Sequence, residues 1–330
     1  MRLLASLLLV AFTAHADEVD SVLTRMQQAL DTQNFQGTLV IRQYDQMHAM
    51  HVVHGHGDKG QGSWDTLESL NGEHRRVIRR DAQVITLFPG KNAATITHDL
   101  KSLPLHPNLP QNLTLLKQLY HVQLAGEDRV AGWPAQILEM LPKDQYRYGF
   151  RLWLARDNGL LLRCDLLGEQ GKVVEQVMYS QLSTMKQIPP PGVPDLKSWR
   201  VVDLDEHQQP LSEADNEQWS VTQLPAGFRL VQSGSMPALG AAENDASESG
   251  AVPRVQHLIF SDGMTSVSVF VEQRVPDNKL LIGVSRMGAV NAFGQSLNGH
   301  HVTVMGEVPM VTVRQIAQSI VKSQVGTPHD

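Results

Sequence analysis

Four histidines, His48, His51, His54 and His56, crowd into one short stretch of the chain. Neutral imidazoles bind zinc or copper when three of them converge on one ion. In an extended strand, however, alternation sends His48, His54 and His56 one way and His51 the other. No carboxylate or thiolate stands among them, so they rank as weak metal candidates and are expected to be solvent-facing strand and loop residues. A second cluster is basic: Arg75, Arg76, Arg79 and Arg80, beside His74. Guanidinium groups suit phosphates and carboxylates, which makes these four candidates for an anionic ligand or an acidic peptide. Alternation puts Arg76 and Arg80 on one face and Arg75 and Arg79 on the other, so a single four-arginine surface is not expected. Trp64, Phe88, Trp133, Tyr148 and Trp153 either pack in a core or line an apolar cavity, and four of them (Trp64, Phe88, Tyr148 and Trp153) are candidate lipid contacts.

Catalytic signals are absent from the sequence. It contains no G-x-S-x-G elbow, no H-E-x-x-H, no Walker loop and no G-x-G-x-x-G opening a helix. The single cysteine, Cys164, falls on the apolar file of a strand and reads as a buried thiol. The residues therefore favour a binding protein with no catalytic residues, no cofactor and no metal. A histidine-based metalloenzyme, the rival class, would purify with stoichiometric metal.

The elements that position these residues are mostly strands. Val19, Val22, Leu23, Met26 and Leu30 recur at helical spacing, with Asp17 available as a cap, so a helix opens the mature chain. From Gly37 to about His98, β-prone runs such as 37–41 and 84–88 alternate with turn signals at 55–62, Asn71-Gly72, 81–82 and Pro89-Gly90, which predicts an antiparallel meander. A short helix follows Asn108-Leu109-Pro110 and carries Leu113, Leu116 and Tyr120. Asp157-Asn158-Gly159 then joins strands at 151–155 and 160–167. In the second of these, Leu160, Leu162, Cys164 and Leu166 share one face, with Arg163 and Asp165 on the other. A further strand runs over 172–182. The prolines at 189–191 begin a stiff linker over 189–216. Beyond it lie strands near 219–221 and 228–231, a Gly/Ala/Ser/Glu-rich stretch at 233–253 expected to be a mobile loop, a strand through Val267, Val269 and Val271, and a hairpin at Asn298-Gly299. A final helix is expected to open on a Thr312–Gln315 capping box and to bury Val313, Ile316, Ala317, Ile320 and Val321.

Met1-Arg2, the apolar run 3–12 and Ala14-His15-Ala16 have the order of a secretory signal peptide over 1–16. The apolar run is far shorter than the ~20 residues that span a bilayer. A formal net charge of −6 gives no general electrostatic drive toward nucleic acid. Sequence thus yields an α+β, mainly antiparallel protein: a large domain over 17–188, whose curled open sheet and covering helices would enclose an apolar hollow, and a smaller sheet-and-helix domain over 217–325.

The blocks Arg129 to Ala135, Lys143-Asp144-Gln145-Tyr146-Arg147-Tyr148-Gly149-Phe150-Arg151-Leu152-Trp153-Leu154 and Asn158 to Arg163 resemble the RseB/MucB family. Asn34 to Thr38, the proline-rich segment and Val302 to Pro309 share that resemblance, which spans nearly the whole mature chain. Arg156-Asp157-Asn158 departs from it, since family members often place an acidic residue and Thr before the hairpin glycine. The resemblance implies a large domain similar to LolA-type lipoprotein carriers, an open half-barrel. It also implies a periplasmic negative regulator of the envelope-stress sigma factor, one that binds the periplasmic domain of a membrane-spanning anti-sigma factor. Such a regulator shields its partner from proteolysis and is relieved by lipid A or lipopolysaccharide fragments, and self-association could accompany the switch. A periplasmic lipid or lipoprotein carrier is the alternative.

Overall fold

In the computed structural model the described residues are 7–43, 45–57, 62–80, 83–98, 113–203, 219–237, 254–273 and 281–322. The chain divides into two compact units. The first comprises Met1–Lys143 and Gly149–Val202, and the second Asp144–Tyr148 and Asp203–Asp330.

Helix α1, Leu7–Thr32, opens the first unit. It runs straight through Asp17, which therefore does not cap it, because the leucine-rich segment before it is itself helix-forming. Val19, Val22, Leu23, Met26 and Ala29 form its buried stripe. Strands β1 (Asn34–Gln43), β2 (Gln46–His56), β3 (Ser63–Ser69), β4 (Arg76–Arg80), β5 (Gln83–Phe88) and β6 (Ala93–Thr97) follow as the expected meander. Helix α2, Leu113–Leu119, is short, and Tyr120, expected within it, already begins a strand. Asn108 to Pro110, expected to open this helix, and the turn at 81–82 lie outside the described residues, as do 58–61 of the turn expected at 55–62.

Strands β7 (Tyr120–Val130), β8 (Trp133–Pro142), β9 (Gly149–Ala155), β10 (Leu161–Leu167) and β11 (Val173–Met185) make the second half of the sheet. Strand β12, Arg200–Asp203, lies within the segment expected to be linker. The order β12-β6-β5-β4-β3-β2-β1-β11-β10-β9-β8-β7 gives one twelve-stranded sheet, antiparallel from β6 to β7, and among the described residues its two ends do not pair, so it is open. β1 lies between β2 and β11, joining the two meanders.

Apolar residues of the inner face, among them Phe35, Leu39, Met50, Val52, Leu67, Leu162 and Tyr179, form one buried cluster with Ala29 of α1. Ile78, Ile85, Leu87 and Ala94 form a separate cluster, against which Leu196 and Trp199 pack. Register explains the split: Val77, which packs on the first cluster, and Ile78, in the second, are consecutive and point to opposite faces. Between Leu161 and Arg163 the pairing of β10 with β9 shifts register, and the simple alternation fails there. Asp165 is consequently buried and accepts hydrogen bonds from Arg163 and Gln176 (2.8 Å each to Oδ1), while Cys164, expected in the core, is only half-buried.

The second unit holds β13 (Trp219–Val221), β14 (Arg229–Pro237), β15 (Arg254–Ser261), β16 (Ser266–Gln273), β17 (Gly283–Met287), β18 (Val290–Leu297), β19 (His300–Gly306), helix α3 (Met310–Gln318) and β20 (Ile320–Lys322). A six-stranded sheet has the order β14-β15-β16-β19-β18-β17, and β13 pairs with β20. Val267, Val269, Val271, Val302 and Val304 line the face on which Val313, Ile316 and Ala317 of α3 pack. Three expectations are corrected here. Residues 233–237 are strand, not loop, because β14 stays paired with β15 as far as Pro237, while 238–253 lie outside the described residues. The helix starts after Pro309, and Thr312, already inside it, donates its hydroxyl to the Tyr146 carbonyl (2.7 Å) instead of capping. Ile320 and Val321 leave the helix for β20, as their β-branching favours, so Ile320 is buried and Val321 exposed.

Candidate functional site

Within the first unit the sheet register assembles a buried polar relay. Phe35 pairs with His54 across β1 and β2, His54 with Asp65 across β2 and β3, and Asp65 with Arg79 across β3 and β4. All four therefore project on the inner face. His54 Nδ1 lies 2.6 Å from Asp65 Oδ1, and the His54 ring stacks on Phe35 with centroids 4.9 Å apart. Arg79 Nε donates to Asp65 Oδ2 at 2.5 Å, and its Nη2 reaches Ser63 Oγ at 3.2 Å. Burial alone would raise the Asp65 carboxyl. The hydrogen bonds and charges of His54 and Arg79 outweigh it, so the pKa lies below the ordinary carboxylate value. The Tyr179 hydroxyl is buried without a hydrogen-bond partner among the described residues, and burial together with the Asp65 charge pushes its pKa up.

This relay redistributes the sequence candidates. His54 belongs to it, whereas His48 is exposed and His56 half-buried, and among the described residues no three His, Cys, Asp or Glu side chains are grouped to hold a metal. His54, expected to face solvent, is 2% exposed because it shares the inward parity of Met50 and Val52. Arg79 is engaged by Asp65 and so is not available as a simple anion contact. Arg76 and Arg80 lie on the opposite face, while Arg75 precedes β4 and is exposed.

The aromatic candidates do not form one lining. Trp64 is buried across Gly55, where a Cβ would stand 2.0 Å from the indole nitrogen, so only glycine fits beneath the ring. Phe88 is half-buried at the end of β5. Trp153 packs in the main cluster, donates Nε1 to Asp128 at 2.9 Å and carries the Arg163 guanidinium 4.0 Å from its ring centroid. Tyr148 belongs to the second unit. Its hydroxyl donates to the Ala289 carbonyl (3.2 Å) and accepts from Asn291 Nδ2 (2.9 Å).

The second unit contains a buried cluster that sequence reasoning did not find. Arg147, with a side chain 0% exposed, donates to Asp262 Oδ2 at 2.5 Å, to Asp144 Oδ2 at 2.9 Å and to the Ala226 carbonyl at 2.6 Å. Its guanidinium also lies 5.5 Å from the Phe228 ring centroid. Asp262 Oδ1 accepts the backbone N–H groups of Met264 and Thr265, both at 2.9 Å. The signal available in sequence was Arg147 itself, embedded between two tyrosines in the most distinctive block of the chain.

Both units consist of antiparallel sheet with a helix packed on it, and together they define a two-domain, mainly β protein. The MucB/RseB N-terminal domain family matches residues 18–197, and the MucB/RseB C-terminal domain family matches 213–321. The chain belongs to the MucB/RseB family. It is 31% identical over 330 residues to the sigma factor AlgU regulatory protein MucB of Pseudomonas aeruginosa, covering 97% of this chain and 96% of that one. It is 27% identical over 322 residues to the sigma-E factor regulatory protein RseB of Haemophilus influenzae, covering 95% of each. Among solved structures it resembles MucB in complex with MucA(peri), with a TM-score of 0.66, 27% identity and coverage of 93% of this chain and 100% of that one. The Pseudomonas aeruginosa MucA/MucB complex gives a TM-score of 0.68 at the same identity and coverage.

Proposed function

We propose that this protein is a periplasmic negative regulator of an extracytoplasmic stress sigma factor. It binds the periplasmic domain of the transmembrane anti-sigma factor and shields it from regulatory proteolysis, and lipid A or a related lipopolysaccharide ligand relieves the block. The observation that carries this reading is the match to both MucB/RseB domains, joined to the solved complexes of MucB with MucA. The signal-like segment 1–16 supports export. The lipid arm draws on the family resemblance and on an open sheet with an apolar inner face. A lipid-sensitive grip requires two arrangements with different affinities for the peptide.

A protease-protection assay on the anti-sigma periplasmic domain tests the reading. With the regulator present, cleavage by the site-1 regulatory protease is slowed, and adding lipid A restores it. Unslowed cleavage in lipid-free buffer would overturn the regulator, and lipid binding without any peptide binding would favour the carrier. Since Asp65 holds Arg79, the arginines offered to an anionic headgroup are Arg75 and Arg76. Replacing these two with glutamine is expected to raise the lipid A concentration needed, and an unchanged requirement removes them from the site.

A further inference from the structure

A strand at the rim of a sheet offers unpaired backbone groups to any extended chain, and proteins blunt such rims with charge, proline, bulges or brevity. Most rims here are blunted. β7 breaks register between Leu124 and Glu127 and carries the charged run Glu127-Asp128-Arg129. β12 has four residues, with Arg200 and Asp203 at its ends. β14 shifts register between Leu230 and Gln232 and ends on Pro237. β13 and β20 have three residues each.

β17 differs. Gly283, at φ +87°, begins the strand just after Leu281 crosses over Gly294. From there the pairing with β18 runs unbroken to Met287 opposite Val290, and among the described residues β17 has no other neighbour. It contains no proline and one charged residue, Arg286, while Val284 is 51% and Met287 75% exposed. Beside it, Ile282 is 64% exposed. Val284 stands opposite Phe293, which packs on the α3-covered core, so Val284 extends that apolar face beyond the last strand.

The geometry points to β17 as the place where an extended partner peptide adds a seventh strand to the sheet of the second unit. The inference rests on the proposed regulator function, and the peptide is a segment of the anti-sigma periplasmic domain. It is recognised by backbone pairing and by an apolar side chain laid beside Val284. A folded second copy is a poorer occupant. Pairing two five-residue strands buries a few hundred Å², well short of the roughly 1,200 Å² of a stable interface. A flexible segment makes its remaining contacts elsewhere.

The test uses the full chain and the periplasmic domain of the anti-sigma factor as probe. On mixing, backbone amides of residues 284–287 are expected to exchange more slowly while those of β14 do not change. Val284→Lys with Met287→Lys is expected to weaken binding about tenfold, since a lysine on each face of the rim strand replaces the apolar contact that an added strand would cover. Both side chains are exposed, so the unfolding temperature should hold. Equal affinity in a folded double variant, or protection confined to other strands, overturns the proposal and leaves the regulator reading intact. Protection of 284–287 that grows with protein concentration without the probe also overturns it, in favour of self-pairing. Failure of the unmodified chain to bind at all would instead overturn the regulator reading itself.

Discussion

Arg79 in the first unit and Arg147 in the second are both held by buried carboxylates, but the two pairs are built differently. Arg79 meets Asp65 across adjacent strands of one meander, and His54 completes the group from the next strand. The Arg79 side chain is 21% exposed, so water reaches part of the guanidinium. Arg147 meets Asp262 across 115 positions of sequence, and both side chains are 0% exposed. The first pair decorates a ladder whose backbone bonds already fix β2, β3 and β4. The second ties the segment 144–148 to the turn after β15, where no ladder does so. Breaking a buried pair is costly when the abandoned charge has nowhere to go.

The sharpest test of that contrast is Arg147→Met, which keeps an unbranched stem and removes the cation. Asp262 is left charged and dry, and the expected loss is on the order of 3–5 kcal/mol. Thermal melting followed at the indole N–H resonance of Trp219, the one tryptophan of the second unit, reads it. Adding Asp262→Asn should return part of the loss, because the stranded charge is then gone. A melting temperature unchanged by Arg147→Met would break the comparison. Asp65→Asn is expected to cost less, about 1–3 kcal/mol, because Arg79 turns to water and the amide still bonds His54. Hydrogen exchange at β2 to β4 measures it, and a loss larger than that of Arg147→Met would reverse the ranking.

The same contrast governs what could be read from the sequence. Alternation alone separated Arg79 from Arg76 and Arg80, but it grouped His54 with His48 and His56, which were expected to face solvent. What it lacked was register, which pairs Asp65 with both and turns a surface charge into a buried one. Alternation also failed where ladders slip. The register shift before Arg163 buries Asp165 and lifts Cys164 out of the core. Arg147 stood out within its block, but apart from Asp144 its partners, Ala226, Phe228 and Asp262, lie far along the chain and could not be read from it. Apolar periodicity located α3 but ran on through Ile320, because a β-branched residue packing on the same core looks the same whether helix or strand presents it. The resemblance was legible because it lies in whole blocks of sequence, and the β17 rim was not, because openness is a property of neighbours that are missing.

Acid separates the units in the same direction, with the smallest effect. Burial pushes the His257 pKa down from 6.5, and it does the same to His301 despite the nearby Glu272 charge. Both rings are therefore held neutral in the folded second unit while the unfolded chain takes up protons near the ordinary value. Their contribution is complete above pH 6.5 and declines as pH falls below it. In the first unit the lowered Asp65 pKa gives stability that is complete above 3.8 and is lost only at lower pH. Glu175 acts in reverse. Burial raises its pKa above 4.5 against the Gln43 hydrogen bond, so its contribution is greatest below that value and fades as pH rises through the folded one. The first unit should hold its urea midpoint between pH 6.5 and 5 while that of the second falls, and His257→Gln with His301→Gln should flatten the fall. A first unit that weakens earlier would show that its carboxylates, not the histidines of the second sheet, set the acid response.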